Sequence, residues 1–179
     1  MNTVERLNKT KVVTGKVILH HPYLFEAKKF RDNSIAKYRT VIVIPSDEVD
    51  TLDNINKAID EAILQGEYIF GGVIPEKNDL ILPLKNGNDN ESLDLVYYNN
   101  FYLNASNDVP PKVVNKNNIP FLSKVTVPDC IYARVSIMFK PYNYKGNKGV
   151  SCMLNNVMLY DERFDTSIYL SSPKDDFKK

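Results

Sequence analysis

The chain has 179 residues and a formal net charge of +1, enough for one domain with a substantial core. No apolar run approaches the roughly 20 residues that a membrane-spanning helix needs. The opening Met-Asn-Thr-Val-Glu-Arg lacks the basic-then-apolar layout of a secretory signal, so a soluble intracellular protein is expected. The net charge hides a segregation. Residues 1–45 hold nine Lys/Arg against three acids (+6), residues 46–111 three against thirteen (−10), and residues 112–160 seven against Asp129 alone (+6). The first and third segments would make one positive face if they pack together.

Residues 12–19 alternate around Val13, Gly15, Val17 and Leu19 and predict a first strand, with Gly15 marking a bulge or bend. Residues 37–44 form a β-branched run ending at Pro45, a second strand. Ser46 then reads as a helix N-cap with Asp47, Glu48 and Asp50 in the first turn. Leu52, Ile55, Ile59, Ala62 and Ile63 follow helical spacing, and Gly66 supplies a stop. Residues 80–84 predict a short edge strand interrupted by Pro83, and residues 97–105 a further strand. Residues 107–128, with four prolines, predict a long loop.

The densest information lies in residues 130–157, two alternating strands joined by a Lys- and Gly-rich turn. Ile131, Ala133, Val135, Ile137 and Phe139 share one face, and Tyr132, Arg134, Ser136, Met138, Lys140 and Tyr142 the other. The second face mixes cations with aromatic rings, and Tyr144, Lys145 and Lys148 extend it around the turn. Cations meet phosphates and flat rings stack on bases, so this composition suits unpaired nucleic acid. Strands around a single helix, with a bend at Gly15, predict a mainly β fold, a five-stranded OB-type barrel or a β-sandwich. Residues 1–160 are expected to form the domain, and residues 161–179 a polar, flexible C-terminal tail.

Ordered stretches along the chain resemble tailed-bacteriophage single-stranded DNA-binding proteins with an OB fold. They include Val13-Thr-Gly-Lys-Val17, Pro22-Tyr-Leu-Phe-Glu26, Phe70-Gly-Gly72, Leu82-Pro-Leu-Lys-Asn-Gly87, Tyr102-Leu-Asn-Ala-Ser106, Ala133-Arg-Val-Ser-Ile137 and Asn147-Lys-Gly-Val-Ser-Cys-Met-Leu-Asn-Asn-Val157. Their order and spacing carry the resemblance from about residue 10 to residue 159. It implies an OB barrel, no catalysis, and sequence-tolerant binding of single-stranded DNA in phage replication and recombination, in the cytoplasm of the infected bacterium. Asp175-Asp176-Phe177 is similar to the acidic, Phe-closed tips with which such proteins recruit replication partners, although Lys178-Lys179 offset its charge. A homo-oligomer is compatible with this reading.

From the residues, Lys16, Arg39, Arg134, Lys140, Lys145 and Lys148 are the expected phosphate-tracking groove. Tyr102, Tyr142 and Tyr144 are the expected stacking rings, with Asn104 and Asn155 meeting sugars or bases. The alternative is a phage structural or adaptor protein using the Tyr-rich face for protein contacts. No cofactor or metal is expected. Adjacent strand residues such as His20 and His21 face opposite sides. Glu26-Ala-Lys28 lacks the neighbouring acids of a metal nuclease, and Gly71-Gly72 is not followed by the Gly-Lys-Ser/Thr of a phosphate loop. Cys130 and Cys152 read as buried reduced thiols.

Overall fold

The computed structural model describes residues 3–32, 34–92, 94–121, 123–170 and 173–177. Helix α1 (Thr3–Lys9) leads into strands β1 (Lys11–Val13), β2 (Val17–Lys28) and β3 (Lys37–Pro45). Helix α2 (Val49–Leu64) follows, then the two-residue β4 (Lys85–Asn86), β5 (Asn100–Asn107) and β6 (Lys112–Asn115). The long hairpin β7 (Ile131–Tyr144) and β8 (Asn147–Arg163) and a last helical turn α3 (Pro173–Asp176) complete the chain.

Five strands close on themselves. β2 pairs with β3, β3 with β5, β5 with β8, β8 with β7, and β7 again with β2. Every pairing in the ring is antiparallel except β5 with β8. This is the mainly β, five-stranded OB-type arrangement expected from the sequence, not a sandwich. β1 extends it on β7, β6 on β8 and β4 on β5.

The alternation that predicts the hairpin also builds the core. Ile131, Ala133, Val135, Ile137 and Phe139 are all buried, joined by Leu19, Ile42, Leu103 and Leu154 from the other ring strands. Ile55, Ala58, Ile59 and Ala62 of α2 belong to the same cluster, so the helix lays its apolar face over the ring interior. Each buried Val, Leu, Ile or Phe side chain contributes roughly 1.5–3 kcal/mol of burial. A second, smaller cluster sits outside the ring, where Val96 and Tyr97 cover Ile18 of β2 and Val43 of β3.

Several boundaries differ from the sequence expectation. The first predicted strand divides at Gly15, whose N–H donates to Thr51 Oγ1 (2.8 Å), so β1 serves β7 while β2 serves the ring. The helix starts at Val49 because the Glu48 N–H is taken by the Pro45 carbonyl in a preceding turn, and Ser46 caps nothing. It ends at Gln65 in right-handed geometry, not on a glycine stop. Residues 80–84 reduce to a bridge between Ile81 and Gly149. Tyr97 closes a 3₁₀ turn ahead of β5, and the Pro-rich stretch still contains β6. Cys152 is buried and Cys130, one residue before β7, half-buried; both are free thiols.

Two conformations depend on positive φ. Tyr144 pairs with Asn147 across a two-residue turn in which Lys145 (φ 51°) and Gly146 (φ 86°) are both left-handed, the type I′ geometry that matches hairpin twist. His21 has φ 50°, and its ring therefore folds back beside His20 instead of facing away. The two imidazoles stack with centroids 3.8 Å apart, which corrects the expectation that they face opposite sides.

Candidate nucleic-acid interface

The outer side of β2, β3 and β5 holds a concavity. Register places Tyr23 opposite Arg39, Arg39 opposite Ser106, and Val41 opposite Asn104, so these side chains form a continuous row. At one end Tyr97 covers the row. Beyond it the surface opens into a cleft of about 800 Å³, bordered by the 29–36 loop and by Tyr144 from the hairpin tip. Its cations are Lys28, Lys37 and Arg39, and its rings Tyr23, Phe30 and Tyr144. Ser34, Asn104 and Ser106 supply hydrogen-bonding groups.

Local chemistry sets each of these. Ser34 Oγ accepts from the N–H groups of Phe30 and Arg31 (2.9 Å each) and donates to the Arg31 carbonyl (2.7 Å), which closes the loop and holds Phe30 outward. Phe30 is 72% exposed and Tyr144 66%. Rings so wetted beside a cleft fit a binding surface better than a fold requirement. The Arg39 guanidinium lies 5.3 Å from the Tyr23 ring centre and 5.1 Å from that of Phe30, a cation held between two rings. Its Nη2 donates to the Lys29 carbonyl (3.2 Å), while its buried Nε has no partner among the described residues. Lys28 and Lys37 face Glu26 (3.7 Å) and Asp108 (3.4 Å) in exposed pairs worth less than about 1 kcal/mol.

At the covered end His20 is buried, its Nδ1 2.8 Å from the Tyr97 hydroxyl. Burial pulls the His20 imidazole below its ordinary pKa despite the nearby Asp129 carboxylate. Burial, reinforced by Asp94, pushes the Tyr97 hydroxyl up to about 12.

The residues expected from sequence divide between this cleft and the rest of the surface. Arg39, Asn104 and Tyr144 line it, and Lys145 stands beside Tyr144 with its Nζ 5.3 Å from the ring. Tyr102 shares the outer face of β5 but is half-buried against the Tyr97 ring (5.0 Å). The others lie outside the cleft lining. Lys16 is held by Glu162 (2.7 Å), a bond that raises its pKa, and lies 4.0 Å from the Tyr132 ring. Lys148 Nζ donates to the Phe70 carbonyl (2.6 Å). Tyr142 is half-buried over Gly149, where any side chain would strike its ring and the Ile81 carbonyl. Lys140 is exposed on β7 opposite Ser151, and Asn155 occupies a bulge of β8. Arg134 Nε donates to the Thr14 carbonyl (3.0 Å). With Lys11 and Lys112, Arg134 lines a separate depression of about 420 Å³ over Ser136 and Asn156.

Sequence reasoning missed Tyr23, Lys28, Phe30 and Lys37. The signal was present in Lys28-Lys29-Phe30-Arg31, cations interleaved with a ring and followed by the turn residues Asp32-Asn33-Ser34.

Residues 10–178 match the family model described as Enterobacter phage Enc34, ssDNA-binding protein. The chain belongs to this family. Among curated proteins it is similar to putative protein p50 of Acyrthosiphon pisum secondary endosymbiont phage 1, 29% identical over 157 residues, covering 84% of this chain and 83% of the relative. The fold is similar to that of the single-stranded DNA-binding protein of bacteriophage Enc34 in complex with ssDNA. That match has a TM-score of 0.71 at 19% identity, over 87% of this chain and 90% of that one. It is also similar to gp2.5, a single-stranded DNA-binding protein encoded by bacteriophage T7, with a TM-score of 0.61 at 14% identity over 92% and 98% of the two chains. The Enc34-family fold is thus shared over nearly the whole chain, at identities low enough that residue contacts must be argued from this surface itself.

Proposed function

We infer that this member of the Enc34 family is a phage single-stranded DNA-binding protein, and that the cleft on β2, β3 and β5 is where the strand lies. Lys28, Lys37 and Arg39 take phosphates, while Tyr23, Phe30 and Tyr144 stack bases, with Asn104 and Ser106 meeting sugars or base edges. The supporting observation is the meeting of three cations and three rings in one concavity on the outer face of OB strands, the face such barrels use for oligonucleotides. Stacking requires open base faces, so the strand is bound unpaired and with little sequence preference. No catalytic step is needed. The protein coats single strands inside the infected host during replication and recombination. The binding domain runs past the expected boundary at residue 160 to Phe164, because β8 pairs with β7 as far as Arg163 and Phe164 packs on Tyr132. The segment beyond offers Asp176 and Phe177 to replication partners.

The test is a titration of labelled single- and double-stranded oligonucleotides at two salt concentrations. Preference for the single strand, weakening steeply with salt, is the expected result. Equal affinity for duplex would remove the stacking role. Absence of binding at low salt would favour the adaptor reading.

A further inference from the structure

We propose that His20 Nε2, His21 Nδ1 and Asp129 Oδ2 form a site for a divalent transition metal of the zinc class at the covered end of the cleft. One ligand atom from each of the three residues lies within 4.8 Å of the other two. Asp129 Oδ2 is 3.5 Å from His20 Nε2 and 3.4 Å from His21 Nδ1. A tetrahedral ion with bonds of about 2.0–2.1 Å has ligand-to-ligand edges of about 3.3–3.4 Å, so these two edges are close to those of an occupied site. Asp94 Oδ2 lies 3.8 Å from His20 Nε2 and outside this three-ligand group, so the fourth position is left to solvent.

The surroundings hold these ligands in place. Asp129 Oδ1 accepts from the N–H groups of His21 (2.6 Å) and Cys130 (3.0 Å), which fixes the carboxylate and turns Oδ2 toward the imidazoles. The left-handed φ of His21 puts two consecutive strand residues on one side, and Cys130 after Asp129 is left-handed too (φ 55°). Non-glycine residues adopt this geometry sparingly, and it gathers where a site demands it. The His20 Nδ1 contact with the Tyr97 hydroxyl is the outer-shell partner that a metal-binding histidine usually has. With the proton on Nδ1, Nε2 presents its lone pair to the ion.

The stacked rings are inclined by 28° with centroids 3.8 Å apart, closer to parallel than two imidazoles on one tetrahedral ion. His21 is exposed, and rotation of its side chain opens the angle. Two imidazoles with carboxylate suit zinc, whereas magnesium and calcium prefer oxygen alone. Because His21 also lines the cleft, the open side of the ion faces that space. The proposal does not depend on DNA binding.

The experiment is a Co²⁺ titration of the full chain, followed by visible absorption and by displacement with Zn²⁺. One equivalent should bind with the intense bands of a tetrahedral ion, and Zn²⁺ should abolish them. His21→Asn keeps a residue that tolerates the left-handed backbone, and Asp129→Asn keeps the oxygen that accepts from the backbone. Each should weaken metal binding at least tenfold. Zn²⁺ should raise the melting temperature of the wild type and not that of Asp129→Asn. Weak octahedral-type spectra, or equal metal affinity or equal thermal shift in the wild type and these variants, would overturn the site.

Discussion

The outer faces of β3–β5 and of β7–β8 both mix cations with tyrosines, yet their cations are differently engaged. On the hairpin side Lys148 is bound to a carbonyl 78 residues away in sequence and Lys16 to a carboxylate 146 residues away. Arg134 Nε donates to the Thr14 carbonyl just after β1, and Tyr142 covers Gly149. On the cleft side Lys28 and Lys37 stand 3.7 and 3.4 Å from exposed acids, looser pairs than the 2.7 Å of Lys16 with Glu162, Arg39 lies between two rings, and Phe30 stands in water. The first arrangement, exposed Lys140 apart, ties strands and loops together, while the second leaves its groups for a ligand. Composition alone therefore does not distinguish a binding face from a structural one. What the cations and rings already touch does.

The sharpest way to break this comparison is to remove rings from each side. Phe30→Ala and Tyr23→Ala should each weaken binding of a single-stranded oligonucleotide by roughly 1–3 kcal/mol, about 5- to 150-fold, with the fold unchanged by circular dichroism. Tyr142→Ala should leave affinity within about twofold and lower stability by less than about 1 kcal/mol, through lost cross-strand packing. If Tyr142→Ala weakens binding as much as Phe30→Ala while staying folded, the strand also crosses the hairpin.

A somewhat smaller effect is expected in stability. Lys148→Met keeps the aliphatic stem but loses the charged hydrogen bond to the Phe70 carbonyl, which should cost about 1–2 kcal/mol in urea unfolding. DNA affinity should be unaffected. A variant with native stability and weakened binding would make Lys148 a phosphate contact and blur the division of the two faces.

Most of the fold was legible because it follows from local pattern. Alternation at Ile131, Ala133, Val135, Ile137 and Phe139 is a strand's signature, and the Leu52 to Ile63 spacing is a helix's. The cleft was less legible because concavity depends on neighbours. Arg39, Asn104 and Tyr144 were identifiable as outward polar or aromatic residues, but nothing local shows that the 29–36 loop stands opposite Tyr144. The pairing of His20 with His21 was hidden for a related reason. A single left-handed φ reverses the alternation that strand reasoning assumes.

The two faces should also differ in salt dependence. Lys37→Gln should flatten the slope of log affinity against log salt by about 0.7, one phosphate contact. Lys16→Gln should leave it unchanged, because Glu162 already neutralises that ammonium. Equal flattening in both would mean that Glu162 yields Lys16 to DNA, extending the path toward β8.

The smallest effect concerns the chain's end, which belongs to neither face by packing. Phe164 is half-buried with its ring edge-on to Tyr132 (6.0 Å), so the segment just after β8 is part of the outer cluster. Past it Ile168, Leu170 and Phe177 are 65%, 63% and 81% exposed. Removing residues 171–179 therefore spares the packed portion and should leave the melting temperature within about 2 °C. The deletion takes away Asp175 and Asp176 together with Lys174, Lys178 and Lys179, charges that screen one another within roughly 8–10 Å. The last two lysines lie outside the described residues, and their effect rests on sequence alone. Affinity for single strands should rise by less than threefold, below about 0.7 kcal/mol. A larger rise would show the acidic tip competing with DNA for Lys28, Lys37 and Arg39 despite the lysines. Loss of stability would place residues 171–179 in the packing of the domain and remove them as a recruiting segment.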